Sequence, residues 1–196
     1  MNMTSKKNLM NKDSTINEAQ YDMCKGYANG SLGIIVSGSM WLISAFVSYY
    51  FSANQAIWTL LIGGALISPI SSVIEKLIGL NGHNAGNPFR NLAMESTVWM
   101  LMCLPLAYGL SLQQVEWFFQ AMLLIIGGRY LTFATLYGRK VYWILGASLG
   151  VAAYLLFKLK IQSYGSLLTG SSIEITFGIF MYFFHRKSDL KKVHKL

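Results

Sequence analysis

Six runs of predominantly apolar residues, each of about 20 residues, occupy most of this chain and limit what it can fold into. A helix of about 20 residues crosses the roughly 30 Å hydrocarbon core of a bilayer. Backbone polar groups have no partner in lipid, so each run must be helical, and the alternating pattern of a barrel strand is absent from the sequence. The sequence therefore predicts an all-α polytopic membrane protein with six transmembrane helices in one bundle. The predicted spans are Ser31–Ser52, Gln55–Gly79, Leu92–Ser111, Val115–Leu136, Lys140–Phe157 and Gly165–His185.

The composition agrees with a membrane protein and divides the chain into three parts. Hydrophobic residues make up 54% and charged residues only 12%, against about 25% charged in soluble proteins. We expect a polar N-terminal segment at residues 1–30, a transmembrane domain at 31–185 and a basic tail at 186–196. The first segment lacks an apolar stretch close to Met1, so a cleaved signal peptide is not expected. Its residues 13–27 fit either a short amphipathic helix or a disordered segment.

The basic residues predict the orientation of the spans. Of the 16 Lys and Arg residues, only Lys158 and Lys160 lie on the side opposite the N-terminus, and Arg129 lies within a span. Loops rich in Lys and Arg stay in the cytoplasm, so both termini are predicted to be cytoplasmic. This topology also accounts for the net charge of +8 without a nucleic-acid partner. The basic tail could in addition bind anionic lipid headgroups.

Two charged residues lie deep inside predicted spans. Glu174 is near the middle of the sixth span and Arg129 is inside the fourth. A charge at the centre of a bilayer costs about 2.5–3.5 kcal/mol on insertion scales, so such residues pair with each other, line water or act on a ligand. At a rise of 1.5 Å per residue the two depths differ by about 5–6 Å, which long side chains can bridge. We therefore predict a Glu174–Arg129 pair, either as a structural contact or as part of a site.

Small and hydroxylated residues recur at helical spacing in several spans. Such stripes indicate close helix packing or, in the second span, a polar path that ends at Glu75. Pro69 lies inside the second stripe and interrupts its hydrogen-bond ladder, which predicts a kink. The stripes are Gly33, Ser37, Trp41, Ser44 and Ser48 in the first span; Gly64, Ser68, Ser71, Ser72, Glu75 and Gly79 in the second; Gly146, Gly150 and Ala153 in the fifth; and Gly170, Ser171, Glu174 and Gly178 in the sixth.

Two further carboxylates lie about one turn inside the spans, Glu75 in the second and Glu95 in the third. Glu95 follows the Asn87-Pro88 step that begins the third span, and a carboxylate in the early turns of a helix interacts favourably with the helix dipole. The alternative is that Glu75, Glu95, Arg129 and Glu174 surround one cavity open to the cytoplasm.

The sequence contains no pattern typical of metal binding, thiol chemistry or a known class of enzyme. His83, His185 and His194 have no Cys or His partners at metal-ligand spacing, and Cys24 and Cys103 form no pattern. No hydrolase, metalloprotease or phosphate-loop motif occurs, so neither a metal nor a cofactor is expected. Aromatic residues near the span ends are typical of interfacial belts, and we assign Tyr49, Tyr50, Trp58, Trp117, Tyr142 and Tyr164 to them.

Two short segments in the middle third of the chain resemble a family of small bacterial integral membrane proteins of unknown function. The first is the Asn87-Pro88 step before the third span. The second is Leu136-Tyr137-Gly138-Arg139-Lys140-Val141-Tyr142, which joins the fourth and fifth spans. Where the family pattern has a His in the fourth span, this chain has Arg129. The resemblance implies a protein of the bacterial inner membrane and implies no activity.

The leading hypothesis is a small transporter or channel-like protein for an ion, a proton or a small anionic solute, acting as a homo-oligomer in the lipid bilayer. The candidate site residues are Glu174, Arg129, Glu95, Glu75 and Ser71. One alternative is a non-transporting assembly or lipid-binding subunit, in which the stripes dock another membrane protein. The other is an intramembrane enzyme that acts on a lipid headgroup with Glu75, Glu95 and His83.

Overall fold

The computed structural model describes the backbone of residues 3–80 and 86–193 and the side chains of residues 15–80 and 86–183. The described residues form seven α-helices and one 3₁₀ turn, without a strand, packed as one bundle. In chain order these are α1 (Met3–Gly26), the 3₁₀ turn (Ala28–Gly30), α2 (Ser31–Tyr50), α3 (Ala53–Leu77), α4 (Phe89–Ser111), α5 (Val115–Tyr137), α6 (Val141–Lys158) and α7 (Ser163–Val193).

Helices α2 to α7 are long and apolar enough to cross a membrane, which confirms the six predicted spans and the all-α class. Their bounds differ from the predicted ones by only a few residues. Helix α7 is the exception, because its backbone continues to Val193, through most of the segment assigned to the basic tail. The chain is therefore a multi-pass membrane protein.

Local signals in the sequence set the tight connections between the spans. Ser52 begins α3, and its hydroxyl accepts a hydrogen bond from the backbone N–H of Gln55 at 3.2 Å. Gly138 ends α5 at φ 61°, a left-handed conformation that glycine adopts without strain. Because these connections are short, successive helices run in opposite directions.

Two helix pairs form the centre of the bundle, α2 with α7 and α5 with α6. Helix α3 lies outside against α2, and α4 lies outside against α5. Both central pairs approach closely at a glycine. A Cβ added at Gly38 would lie 2.7 Å from the Ile175 side chain, and one at Gly146 would lie 2.6 Å from the carbonyl oxygen of Gly127. Small residues at these crossings permit backbone contact between the helices.

The predicted stripes have different outcomes. In α2, the residues Ser37, Trp41 and Ser44 are buried, as predicted. In α3 the prediction of close packing within the chain is wrong, because Ser68 is exposed and a Cβ at Gly64 would meet no atom within 4 Å. The glycine that α3 uses is Gly63, which lies against Met40 of α2. The middle of α3 is therefore turned by one residue relative to the predicted contact face, while Glu75 near its end is buried, as that face predicts.

Helix α1 packs against one end of the bundle, which we call the α1 end. The side chain of Gln20 donates a hydrogen bond to the carbonyl of Thr135 at 2.7 Å, and Cys24 donates one to the carbonyl of Tyr137 at 3.1 Å. Asn87, just before α4, donates to the carbonyl of Ala19 at 2.9 Å. Of the two possibilities for residues 13–27, the structure has the helix, held to α4 and α5 by these contacts.

Replacing Asn87 with alanine is expected to loosen α1 from the bundle. The Asn87 amide also donates to Asp22 at 2.7 Å, and its oxygen accepts from the Phe89 backbone at 3.0 Å. Losing a buried group with three such bonds costs about 1–3 kcal/mol. Hydrogen exchange in residues 15–26 should become faster in Asn87→Ala. The control Asn91→Ala, at an exposed position of α4, should leave exchange unchanged; equal exchange in both variants would contradict this role.

Candidate functional site

Glu174 lies in the centre of the bundle, where α7 faces α2 and α5. Its side chain is fully buried, and the Tyr130 hydroxyl donates a hydrogen bond to Oε1 at 3.0 Å. The second carboxyl oxygen, Oε2, is buried and has no hydrogen-bond partner. The Ser37 side chain of α2 interacts with both Glu174 and Tyr130. A carboxyl buried in a membrane span makes Glu174 the first candidate for a functional group.

The sequence of α7 explains why this carboxyl points inward. Gly170, Ser171 and Gly178 share its face, and all three contact or approach neighbouring helices of the bundle. A Cβ at Gly178 would lie 2.6 Å from the Ile35 side chain, and one at Gly38 would lie 3.1 Å from the Cβ of Glu174. The small residues bring α2 and α7 together, and this contact excludes lipid from Glu174. The predicted inward orientation of this face is confirmed.

Arg129 is half-buried and points toward α4 rather than α7. Its Nη2 donates a hydrogen bond to Thr97 at 3.1 Å, and its Nη1 lies 3.6 Å from the sulfur of Met100. The guanidinium carbon lies 5.2 Å from the centre of the Phe133 ring, a cation–π contact. The Nε atom is buried without a partner.

The predicted direct Glu174–Arg129 pair is wrong, since neither of these two described side chains bonds to the other. Successive residues of an α-helix are rotated by about 100°. Tyr130 occupies the side of α5 that faces Glu174, so Arg129 is turned toward α4. The two charges still interact electrostatically. Tyr130 thus takes the place that the sequence prediction gave to Arg129.

A cluster of aromatic rings extends from Glu174 toward the α1 end. We call it the tyrosine cluster; it comprises Tyr130, Phe133, Tyr137 and Tyr142. The rings of Tyr130 and Tyr142 lie 6.1 Å apart, and those of Tyr142 and Tyr137 stack at 5.5 Å. The Tyr142 hydroxyl donates to the backbone carbonyl of Asn29 at 2.6 Å.

Our assignment of Tyr142 to an interfacial belt is wrong, because its side chain is fully buried. The signal that was missed is the helical spacing of Tyr130, Phe133 and Tyr137 on one face of α5. Three aromatic rings at that spacing form a continuous surface along a helix. Tyr49, Tyr50 and Trp58, by contrast, are exposed near span ends, as expected for an interfacial belt.

Glu75 lies at the α1 end of α3 and is 7% exposed. Its charge acts on Tyr27 and on Tyr137, so it lies next to the outer part of the tyrosine cluster. Burial raises the pKa of the Tyr27 hydroxyl, and the charge of Glu75 raises it further. Burial likewise raises the pKa of the Cys24 thiol, against the opposing effect of Arg139.

The other two predicted site residues do not join this group. Glu95 is exposed on the outer face of α4, beside Met94 and Trp99. Ser71 is half-buried and donates its hydroxyl to the carbonyl of Ser68 at 3.1 Å. The predicted arrangement of four charges around one cavity is therefore not formed. Glu174 and Arg129 flank Tyr130, while Glu75 lies at the far side of the tyrosine cluster.

A second group of buried polar atoms lies on α5 and α7, at the end of the bundle opposite α1. Gln120 Oε1, Ser163 Oγ and Ser166 Oγ have no hydrogen-bond partner, and Gln120 donates to the carbonyl of Ile161 at 3.4 Å. We call these residues the outer polar group.

A tight apolar contact separates the outer polar group from Glu174. A Cβ at Gly170 would lie 2.8 Å from the Leu123 side chain and 3.0 Å from the Trp41 ring. Leu123 is fully buried and Trp41 is 1% exposed. We call Trp41, Leu123 and Gly170 the apolar layer; the one polar group in it is the indole N–H of Trp41, which is buried without a partner. A side chain added at position 170 would have to displace the Leu123 or Trp41 side chain.

Metal chemistry has little support in the part of the chain that is described. Within that part, no group of three His, Cys, Asp or Glu residues could hold a metal ion. The side chains of His83, His185 and His194 lie outside the described residues, so the lipid-enzyme alternative that uses His83 stays a prediction. Glu75 faces the interior while Glu95 faces outward, so those two carboxylates do not share a site.

Six apolar helices around a buried carboxyl define this chain as an all-helical, multi-pass membrane protein. A family model described as a family of unknown function (DUF7010) matches residues 16–185. The chain belongs to this family. The match confirms the resemblance to an uncharacterised family and extends it from the middle third to nearly the whole chain. No curated protein and no solved structure matches the sequence.

Proposed function

We propose that this protein is a proton-linked transporter of a bacterial inner membrane, with both termini in the cytoplasm, and that Glu174 binds and releases the proton. The observation that carries the proposal is the Glu174 carboxyl, buried at the bundle centre with one oxygen bound by Tyr130 and the other without a partner. Burial and water stabilise the two protonation states of a carboxyl differently. A change in the helices that admits water to Glu174 would therefore change its proton occupancy.

The neighbouring groups support a proton site more than a permanent ion pair. Tyr130 donates to Oε1 and leaves Oε2 as the oxygen on which a proton can be held. Water that reaches Oε2 from one end of the bundle would deliver the proton, and water from the other end would remove it. Arg129 contributes positive charge beside Tyr130 without a direct bond to the carboxylate, so the site is not locked in its ionised form.

Arg129 is the group best suited to a transported anion. Its buried Nε–H has no partner, and its Nη2 atom is held by Thr97 on α4. A guanidinium with unused donors recognises a carboxylate or phosphate through paired hydrogen bonds. We propose that a small anionic solute binds here between α4 and α5, and that its charge is coupled to the proton on Glu174.

The experiment that tests the proposal is proton flux in liposomes that contain the purified protein. A pH gradient or potassium diffusion potential drives flux, and an enclosed pH-sensitive dye records it. Wild type should acidify the lumen, while Glu174→Gln should lower the rate at least about tenfold, since the glutamine side chain does not ionise. Tyr130→Phe should give an intermediate rate. The control Glu116→Gln, at the half-buried start of α5, should behave as wild type.

The result that would overturn the proposal is equal flux in wild type and Glu174→Gln, or the absence of any proton-driven flux in wild type. Circular dichroism and thermal unfolding of each variant separate loss of flux from loss of fold. A glutamine is close in volume to glutamate, so the bundle should keep its packing.

A second candidate function is an assembly subunit, favoured by the outer position of two helices. Helices α3 and α4 each pack mainly against one neighbour and bury the least of the six spans. We propose, in this case, that a second copy or another membrane protein covers α4. Glu174→Gln would then change thermal stability and leave flux unchanged.

A further inference from the structure

A cleft at the α1 end combines positive charge with an apolar wall. It has a volume of about 250 Å³ and lies between the 3₁₀ turn, the beginning of α6 and α7. The lining residues are Asn29, Arg139, Lys140, Val141, Phe180 and Met181. The α6 span begins at Val141, so the cleft lies at one end of that span. In an embedded protein this is the depth of lipid headgroups.

The polar side of the cleft is cationic. Arg139 and Lys140 are adjacent, and the described residues that line the cleft include no carboxylate. Asn29 Oδ1 accepts a hydrogen bond from Arg139 at 3.3 Å, which orients the guanidinium and uses one of its five N–H donors. The first turn of α6 begins immediately after Lys140, so its backbone N–H groups add to the positive potential.

The backbone around the cleft is held rigidly. Asn29 is buried in a left-handed conformation with φ 58°, and its carbonyl accepts the hydrogen bond from Tyr142. Ser31 donates its hydroxyl to the carbonyl of Ala28 at 2.7 Å. A Cβ at Gly30 would lie 2.9 Å from the Tyr137 ring, so the turn fits closely against the tyrosine cluster. The Asn29 turn that orients Arg139 is thereby fixed before any ligand arrives.

The apolar side faces the membrane. Phe180 is 56% exposed, while Met181 is buried behind it. An exposed ring in the same cleft as two cations matches an amphiphile that has a negative head and a hydrocarbon tail. The volume is slightly below the about 300–1,000 Å³ of sites that enclose a whole drug-sized ligand, so it suits a headgroup whose chains stay in the bilayer.

We propose that this cleft binds the phosphate of an anionic phospholipid, with Arg139 and Lys140 on the phosphate and Phe180 against the acyl chains. Basic pockets between spans commonly bind such headgroups. A phospholipid headgroup and free phosphate would both present a phosphate anion to this cleft. The exposed apolar wall favours the lipid. This site is separate from Glu174 and does not depend on transport.

The test is lipid binding to the purified full-length protein. Phosphatidylglycerol and phosphatidylcholine are titrated onto delipidated protein in neutral detergent and bound lipid is counted by native mass spectrometry. Wild type should retain phosphatidylglycerol in preference to phosphatidylcholine. The double variant Arg139→Gln/Lys140→Gln should bind phosphatidylglycerol about tenfold more weakly, equivalent to about 1.4 kcal/mol. The control Lys158→Gln/Lys160→Gln removes two positive charges at the opposite end and should bind as wild type.

Several results would overturn the proposal. One is an equal loss of binding in the control, which would mean a general effect of surface charge. Another is displacement of the lipid by inorganic phosphate or glycerol phosphate at similar concentration, which would mean a site for a free anion. Because Arg139 also bonds to Asn29, Lys140→Gln alone is measured as well; it keeps that bond and should still weaken binding. Unchanged binding in Lys140→Gln and in the double variant would exclude the site.

Discussion

Gly146→Val is expected to prevent α5 and α6 from packing closely, with a large loss of stability. A Cβ at position 146 would lie 2.6 Å from the carbonyl oxygen of Gly127 and 2.7 Å from the Leu131 side chain. The first of these contacts is with backbone, which cannot move aside as a side chain can. Overpacking a close contact costs about 1–3 kcal/mol and occasionally more, and we expect the upper part of that range.

The measurement is thermal unfolding in detergent, followed by circular dichroism, together with the fraction of protein that elutes as a single species. The control Gly128→Val carries the same change at a position where a Cβ would meet no atom within 4 Å. Both variants replace a glycine with valine inside a span, so they share the same change in intrinsic helix propensity. Equal stability of the two variants would contradict the close crossing of α5 and α6.

The spans were predictable because hydropathy over about 20 residues reports directly on the length of helix that a bilayer requires. The orientation of each helix about its own axis was predictable only in part. The Ser37–Trp41–Ser44 face of α2 and the Gly170–Glu174–Gly178 face of α7 are buried as expected.

Arg129 and Tyr130 of α5 show why the orientation of a helix about its axis could not be predicted in full. Counting residues along the spans placed Arg129 and Glu174 at similar depths in the membrane. Depth does not show which way a side chain points around the axis of its helix. Tyr130 is the next residue and is turned by about 100°, so it contacts the carboxyl instead. Likewise, α3 offers two adjacent glycines, and the structure packs Gly63 rather than Gly64 against α2. Choosing between adjacent residues depends on the partner helix, which a single sequence does not identify.

The buried carboxyl of Glu174 is flanked by the tyrosine cluster on one side and by the apolar layer on the other. On one side of Glu174 the tyrosine cluster leads to the α1 end, with Tyr142 bound to Asn29. On the other side lie the unpartnered atoms of Gln120, Ser163 and Ser166. Polar atoms without partners are places where internal water is bound. We therefore expect water to approach Glu174 from the end opposite α1, up to the apolar layer.

Leu123→Ser is expected to open this layer and raise proton flux through the protein severalfold in the liposome assay. Truncating a buried leucine leaves a cavity, and an apolar cavity stays dry, but a serine hydroxyl gives water a partner. Water could then join the outer polar group to Glu174. The control is Leu149→Ser in α6, where the leucine is also fully buried. Both variants should lose about 2–5 kcal/mol of stability through the cavity, so the control separates leakage from loosened packing.

The double variant Leu123→Ser/Glu174→Gln distinguishes the route from a general leak. If protons pass by way of Glu174, the second change should return the flux of Leu123→Ser to a low value, because the glutamine side chain does not ionise. A leak around the helices would be the same with either residue at position 174. Increased flux in Leu149→Ser, or undiminished flux in the double variant, would mean that the contact of Leu123 with Gly170 and Trp41 is only a packing contact.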